Sequence, residues 1–310
     1  MVGLAYIVMC LIYGTTFLGI RVGDNAGMPP FLFAAIRFCA AGLVTLFIVA
    51  VRDRKSFPQS FRSYLRLASV GFFTTTGVFA IVYDAERYVP SGYAALMSAT
   101  MPFIVMILGR LVYRQTIIRM QYVGLAVGFV GVFAVAWPGL HSGVPHWLLN
   151  TFVLLVAQIM ASVGALQSRS ALADGMSPFV VNGFQCLFGG IGLLLLSVFT
   201  GELPVRTVHQ AGAGIGALVY LTIFGSIIAS TLFYWLIERI GALLASTWTY
   251  ISPIIAVIVG RFTLREPIYS WTIIGAIAII GGVILLNLHL FRGLLKGRAH
   301  MTPETPVTQK

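Results

Sequence analysis

Apolar residues along this chain do not mark one face of an element; they fill whole stretches, each closed by a charge, a Gly or a Pro. The stretches run to roughly twenty residues, the length a helix needs to cross a hydrocarbon core of about 30 Å. The first five are Gly3 to Val22, Phe31 to Val51, Tyr64 to Tyr83, Pro90 to Leu111 and Met120 to Trp137. The second five are Trp147 to Ser168, Pro178 to Phe199, Ala211 to Ile237, Ala242 to Phe262 and Tyr269 to Leu290. The pattern predicts an all-α polytopic membrane protein with ten transmembrane helices. After them, GLLKGRAHMTPETPVTQK loses the apolar pattern and gains Pro and Thr, so residues 292–310 read as a disordered cytoplasmic tail.

Composition agrees. Of 310 residues, 58% are hydrophobic and 9% charged, with a mean hydropathy of +0.93. A soluble domain carries about 25% charged residues. The net charge of +11 raises nucleic-acid binding, but the basic residues sit in short loops and form no patch interleaved with aromatics. Lys and Arg are retained on the cytoplasmic side, so their distribution orients the bundle. With the N-terminus inside, fourteen fall on the inner side and five outside, the twentieth being Arg37 within the second helix. Both termini are therefore expected in the cytoplasm. Cys10, Cys39 and Cys186 lie in apolar runs without CxxC pairing or a nearby His, so no disulfide, metal or cofactor is expected. MVGLAYIVMCLIYG has no basic region before its apolar stretch and reads as a retained first helix.

The chain repeats itself. MPFIVMILGR at Met101 is echoed by SPIIAVIVGR at Ser252, and adding 151 carries Pro102 to Pro253, Gly109 to Gly260, Gly124 to Gly275 and Gly131 to Gly282. The same offset pairs Thr75 with Ser226, Tyr83 with Tyr234, Arg110 with Arg261 and Arg114 with Arg265. An offset of 148 aligns PFLFAAIRFCAAG at Pro30 with PFVVNGFQCLFGG at Pro178; the first and sixth helices align weakly. The halves, residues 1–138 and 146–291, hold five helices each. An odd number inverts the second half, and inverted repeats characterise secondary transporters, whose site lies near the midplane between them.

A mid-helix Pro, a Gly-Arg, a Glu-Pro near the next turn and then WTIIGAIAIIGGVILL, with YGTTFLGIR in the first helix, resemble the EamA-type members of the drug/metabolite transporter superfamily. The resemblance covers both halves. It implies a small-metabolite carrier of a bacterial inner membrane, often an exporter of amino acids or related compounds. Gln115 departs from it, standing where the second half has Glu266.

Candidate site residues follow from depth and periodicity. Pro102 lies twelve residues past Pro90, about 18 Å along a helix and near mid-bilayer, and Pro253 matches it. Each frees a carbonyl one turn earlier, of Ser98 and Thr249, which predicts paired kinks beside a central pocket or plain packing bends. Thr75, Phe79 and Tyr83 share a face; Ser226, Ser230 and Tyr234 form its mirror, and an interfacial aromatic belt would also account for the tyrosines. Arg37 lies six residues past Phe31, where a lipid-facing cation would cost up to about 3 kcal/mol. It should face protein or water, receiving a carboxylate or capping carbonyls; its repeat partner is Gln185. Asn182, Gln185 and Gly189 share one face and Gln158 and Ser162 another, as substrate contacts or interhelical glue. Met97, Met101, Trp248 and Ser252 lie a turn either side of the prolines, suited to an amphipathic substrate or to core packing.

Asp84, Glu86, Glu202, Glu238 and Glu266 fall at helix ends or in loops, which disfavours proton relay by a mid-membrane carboxylate. His141, His146, His209, His289 and His300 lie at ends, in loops or in the tail, so no catalytic set forms. GLAVG at Gly124 fits close helix packing, and AGAGIG at Ala211 is no nucleotide loop. The expectation is an alternating-access carrier, not an enzyme, exporting small metabolites such as amino acids by facilitated diffusion or exchange. Its partners would be a small-molecule substrate and the bilayer, and the oligomeric state is open, a monomer included. The alternatives are an importer or a drug or nucleotide-sugar carrier.

Overall fold

The structure is a computed structural model that describes residues 2–113, 119–137, 147–202, 210–264 and 270–295. Gln115, Glu266, Arg114, Arg265, His141, His146, His209, His300 and all of the tail beyond residue 295 lie outside the described residues. The described residues form helices and short connections, with no strand. We number the helices α1 (Val2–Asn25), α2 (Pro30–Arg52), α3 (Phe61–Ala85), α4 (Ser91–Ser98), α5 (Met101–Tyr113) and α6 (Arg119–Ala136). The second half holds α7 (Trp147–Ala173), α8 (Pro178–Phe199), α9 (Ala211–Ala245), α10 (Trp248–Leu264) and α11 (Ser270–Leu295).

Seven described segments are long and apolar enough to cross a membrane, with α4 and α5 together counting as one, and three shorter apolar helices lie in α6, α10 and α11. Large apolar side chains point outward throughout: Phe47 is 70% exposed, Phe199 86%, Phe262 83% and Ile277 67%. Water would not tolerate that surface, and a lipid phase does. The fold is an all-α multi-pass membrane protein.

Local signals place the helix ends. Pro30 and Pro178 open α2 and α8, where the missing proline N–H has no helical acceptor to lose. Ser60 and Ser177 cap α3 and α8, accepting from Ser63 N–H (3.2 Å) and Val180 N–H (3.3 Å). At the start of α2 the cap comes from a distant residue: Glu202 accepts from Phe31 N–H (3.1 Å) and Leu32 N–H (2.8 Å).

Pro102 is not a mid-helix kink. The chain turns at Ala99 and Thr100, and Pro102 is the second residue of the new helix α5, where its missing donor costs nothing. Hydroxyls take up carbonyls around the break: Ser98 donates to the Ala95 carbonyl (2.6 Å) and Thr100 to that of Met97 (2.8 Å). Pro253 does lie inside its helix, α10. The second-half break falls earlier, at Ser246 and Thr247, and Gly241 (φ 82°) interrupts α9 with a backbone that an L side chain resists. His289, expected at a helix end, lies within α11, which runs on to Leu295.

Two interruptions had no sequence signal. Phe72–Gly77 in α3 and Leu221–Ala229 in α9 are π-helical. Adding 151 to the first range gives 223 to 228, inside the second.

Glycines let the helices touch backbone to backbone, and the contacts are reciprocal. A Cβ on Gly42 would fall 2.6 Å from Leu187 N, and one on Gly190 would fall 2.7 Å from Cys39 N. Each pair becomes the other on adding 148 to one member and subtracting it from the other. Likewise, a Cβ on Gly131 would lie 2.7 Å from Ile279 N and 2.8 Å from Gly275 O, and one on Gly282 would lie 2.7 Å from Gly128 N and 2.6 Å from Gly124 O. These are exchanged by the offset of 151.

Candidate substrate site

Arg37 is 2% exposed, on the inner face of α2. Its Nε donates to Ser226 Oγ at 2.8 Å and its Nη1 to Tyr83 Oη at 3.0 Å. The guanidinium carbon lies 4.6 Å from the centre of the Phe38 ring and 5.2 Å from that of Phe79. Aromatic faces attract a cation electrostatically, and two of them sandwich or flank this one where water is scarce. Gly225 makes the close seat: a Cβ there would fall 2.8 Å from Arg37 Nη2.

From Ser226 the network continues into α8. Asn182 Nδ2 donates to the Ser226 carbonyl and to Thr231 Oγ1, each at 2.9 Å, while Asn182 Oδ1 accepts from Gln185 Nε2 at 3.0 Å. Gln185 Oε1 then accepts from Thr74 (2.9 Å) and Thr75 (2.5 Å) of the π segment in α3. The two π segments thus present their hydroxyls to the two polar side chains at matching repeat positions: Ser226 to Arg37, Thr75 to Gln185. A π turn closes i→i+5 and recurs at functional sites.

A second branch leaves the other π segment. Ser230 donates to the Gly225 carbonyl (3.0 Å) and accepts from the Tyr13 hydroxyl (3.1 Å). The Tyr13 ring packs 4.3 Å from that of Trp248. Trp248 Nε1 and Ser252 Oγ, one turn apart on α10, are both sealed from solvent without a hydrogen-bond partner among the described residues.

Of the residues singled out in the sequence, Arg37, Thr75, Phe79, Tyr83, Asn182, Gln185, Ser226, Ser230 and Trp248 are linked through one connected network, while Tyr234 is buried on α9 in an apolar cluster. Met97 and Met101 are buried in two different apolar clusters, and Gln158 is buried on α7, where its carbonyl accepts from Ser162. Ser162 also donates to the Met101 carbonyl at 3.3 Å. Ser252 is fully buried on α10. Tyr13, Phe38, Thr74 and Gly225 belong to the site and were not singled out. Tyr13 lies in the helix whose repeat alignment is weakest, and Thr74 shares the i,i+4 face of neither stripe. Glu86 sits at a helix end as expected, but it is completely buried there, and its carbonyl accepts from Arg21.

In this multi-pass membrane protein one buried cation is held by a hydroxyl and two rings of the first half and a hydroxyl of the second, an arrangement that fits the class of membrane transporters. The chain matches the EamA-like transporter family twice, over residues 1–137 and 148–288, and it belongs to that family. It is 31% identical over 291 residues to the protein named "Uncharacterized inner membrane transporter YedA" of Escherichia coli K12, covering 93% of this chain and 91% of YedA. It is 25% identical to "Uncharacterized transporter YetK" of Bacillus subtilis, over 83% of this chain and 78% of YetK, and 24% identical to "Protein PecM" of Dickeya dadantii, over 89% of each. A solved crystal structure with 20% identity superposes with a TM-score of 0.69, covering 94% of this chain and 98% of that one, so the fold is shared.

Proposed function

We propose that this chain is an alternating-access carrier of two inverted five-helix halves, residues 1–138 and 146–291, ten transmembrane helices in all. It lies in a bacterial inner membrane with both termini cytoplasmic and exports small amphipathic metabolites, amino acids and related compounds, by facilitated diffusion or exchange. The observation that carries the reading is the pair of bonds across the halves, Arg37 to Ser226 and Gln185 to Thr75, each made at a π segment. Two-fold exchange of contacts, at these side chains and at the glycine seams, supports an inverted repeat. A polar site at that interface is where alternating access places its substrate. The name of YedA supports the inner membrane.

Flux in proteoliposomes tests it, against a panel of amino acids, organic acids, sugars and cations, with and without a pH gradient. At least one amphipathic metabolite should equilibrate faster than in empty vesicles, at a rate the gradient does not drive. If nothing on the panel moves, the carrier reading fails.

A further inference from the structure

We propose that the connection between α2 and α3 is a docking surface for an anionic phospholipid, its cations taking the phosphate while outward-facing side chains of both helices take the acyl chains. The proposal needs only that the chain spans a bilayer, so it stands or falls apart from the carrier reading.

Depth comes first. Val51 is 70% exposed near the end of α2 and Phe61 76% exposed at the start of α3. Phe47 and Leu65, four residues further into each helix, are exposed too, so one apolar stripe on each helix runs up to this end of the bundle. Arg52 lies one residue past Val51, and Arg62 lies in height between Phe61 and Leu65. At about 1.5 Å of rise per residue, both side chains leave the backbone at the level of lipid-facing groups, within reach of the phosphates.

Charge comes second. Arg52, Arg54, Lys55 and Arg62 are all exposed, and among the described residues none of them forms an ion pair. Asp53, the one acid between them, accepts from Ser56, and Asp174 is taken by Arg66. Four cations against Asp53 leave this surface at +3. Arg62 is also set against its own helix. A helix N-terminus is the positive end of the dipole and favours acids, yet the first turn of α3 contains Arg62 and no acid. A phosphate outside that turn relieves the dipole and the guanidinium together, and guanidinium groups suit phosphate oxygens in bidentate pairs.

The connection is held in shape. Asp53 N–H donates to the Val49 carbonyl (2.8 Å) and Ser56 N–H to that of Asp53 (3.1 Å). Phe57 and Tyr64 both pack edge-on against the Phe184 ring of α8, at 5.8 and 5.2 Å between ring centres. That shared ring draws the connection back onto the first turn of α3, so Arg54 and Lys55 share a surface with Arg62. The other half shows that the fold does not require these cations. Adding 148 to Arg52, Asp53 and Arg54 gives Thr200, Gly201 and Glu202, with one acid and no base. Basic loops also orient a chain during insertion, so binding has to be measured on the purified protein.

Three probes separate headgroup charge from chains: dioctanoyl phosphatidylglycerol, dioctanoyl phosphatidylcholine and glycerol 1-phosphate, each titrated into the full-length chain in neutral detergent. A basic residue at an anionic lipid surface contributes about fivefold, so contact with two of the four should make phosphatidylglycerol bind more than about tenfold more tightly than phosphatidylcholine. Glycerol 1-phosphate, which has the phosphate without chains, should not displace it. Arg54→Gln with Arg62→Gln should remove most of the preference, and thermal unfolding should be unchanged or raised because the clash with the α3 dipole is gone. The charge-matched pair Arg119→Gln with Arg239→Gln, exposed on α6 and α9, should keep the preference. Phe61→Ser should weaken both lipids alike. Equal affinity of the parent chain for the two lipids would overturn the proposal, as would equal loss in the two double variants, which would show a general field and no site. Displacement by glycerol 1-phosphate, or lipid affinity untouched by Phe61→Ser, would overturn it by reducing the surface to a phosphate site without chains.

Discussion

Two adjacent glycines on α11 should respond oppositely to one methyl group. A Cβ on Gly281 meets no heavy atom within 4 Å, whereas one on Gly282 meets Gly124 O at 2.6 Å, Gly128 N at 2.7 Å and Gly128 Cα at 3.0 Å. Alanine gains about 1 kcal/mol over glycine inside a helix, and both substitutions share that gain. Only Gly282→Ala must also move something, and its neighbours are the backbone of α6, which cannot rotate aside. Restoring ordinary contact takes the closest approach from 2.6 to 3.4 Å and opens the α6–α11 seam by 0.8 Å. Overpacking of that kind costs about 1–3 kcal/mol. The common helix term cancels, so Gly282→Ala should be about 1–3 kcal/mol less stable than Gly281→Ala. Thermal unfolding of the purified chain in detergent should place Gly281→Ala above the parent and Gly282→Ala below Gly281→Ala. Equal shifts for the two would refute the claim that α6 and α11 meet backbone to backbone.

The same assay checks two further contacts. Glu202→Gln weakens the acceptor at the start of α2, where a negative charge faces free amides, and should cost about 1 kcal/mol; an unchanged transition would contradict the cap. Arg66 and Asp174 form an ion pair with side chains 39% and 57% exposed, so Asp174→Asn should cost less than about 1 kcal/mol, and a larger loss would show the pair to be structural. Gly225→Ala should displace the Arg37 guanidinium, since the new Cβ would lie 2.8 Å from Nη2, and should lower the affinity for whichever panel compound is transported, read by calorimetry. An unchanged affinity would remove Gly225 from the seat.

Apolar run length placed the helices because spanning a bilayer constrains length and composition more tightly than packing constrains sequence. Depth in the run sufficed for the central side chain: a charge six residues past Phe31 must face protein or water, and Arg37 does. The repeat offsets identified Gln185 and Ser226 as partners of Arg37 and Thr75, although not that these four bond crosswise. Backbone irregularity stayed hidden. The i,i+4 stripes assume 3.6 residues per turn, and the π segments break that assumption where the site is built, which is why Thr74 and Gly225 were missed. Pro102 misled for a related reason: proline disrupts a helix interior but suits its first turn, and only the turn at Ala99 and Thr100 distinguishes the two. Glu86 shows the remaining gap, since position in the chain gave its helix end but not its complete burial.

Counterflow tests alternating access most directly. Vesicles holding the purified chain are loaded with an unlabelled compound from the panel of amino acids, organic acids, sugars and cations, diluted into a trace of the same labelled compound, and sampled over time. A carrier returns a labelled molecule inward for each unlabelled one it releases, so label should rise transiently above its external concentration and then decay. Equilibration without that overshoot, for every panel compound that crosses, would identify a pore and contradict the account.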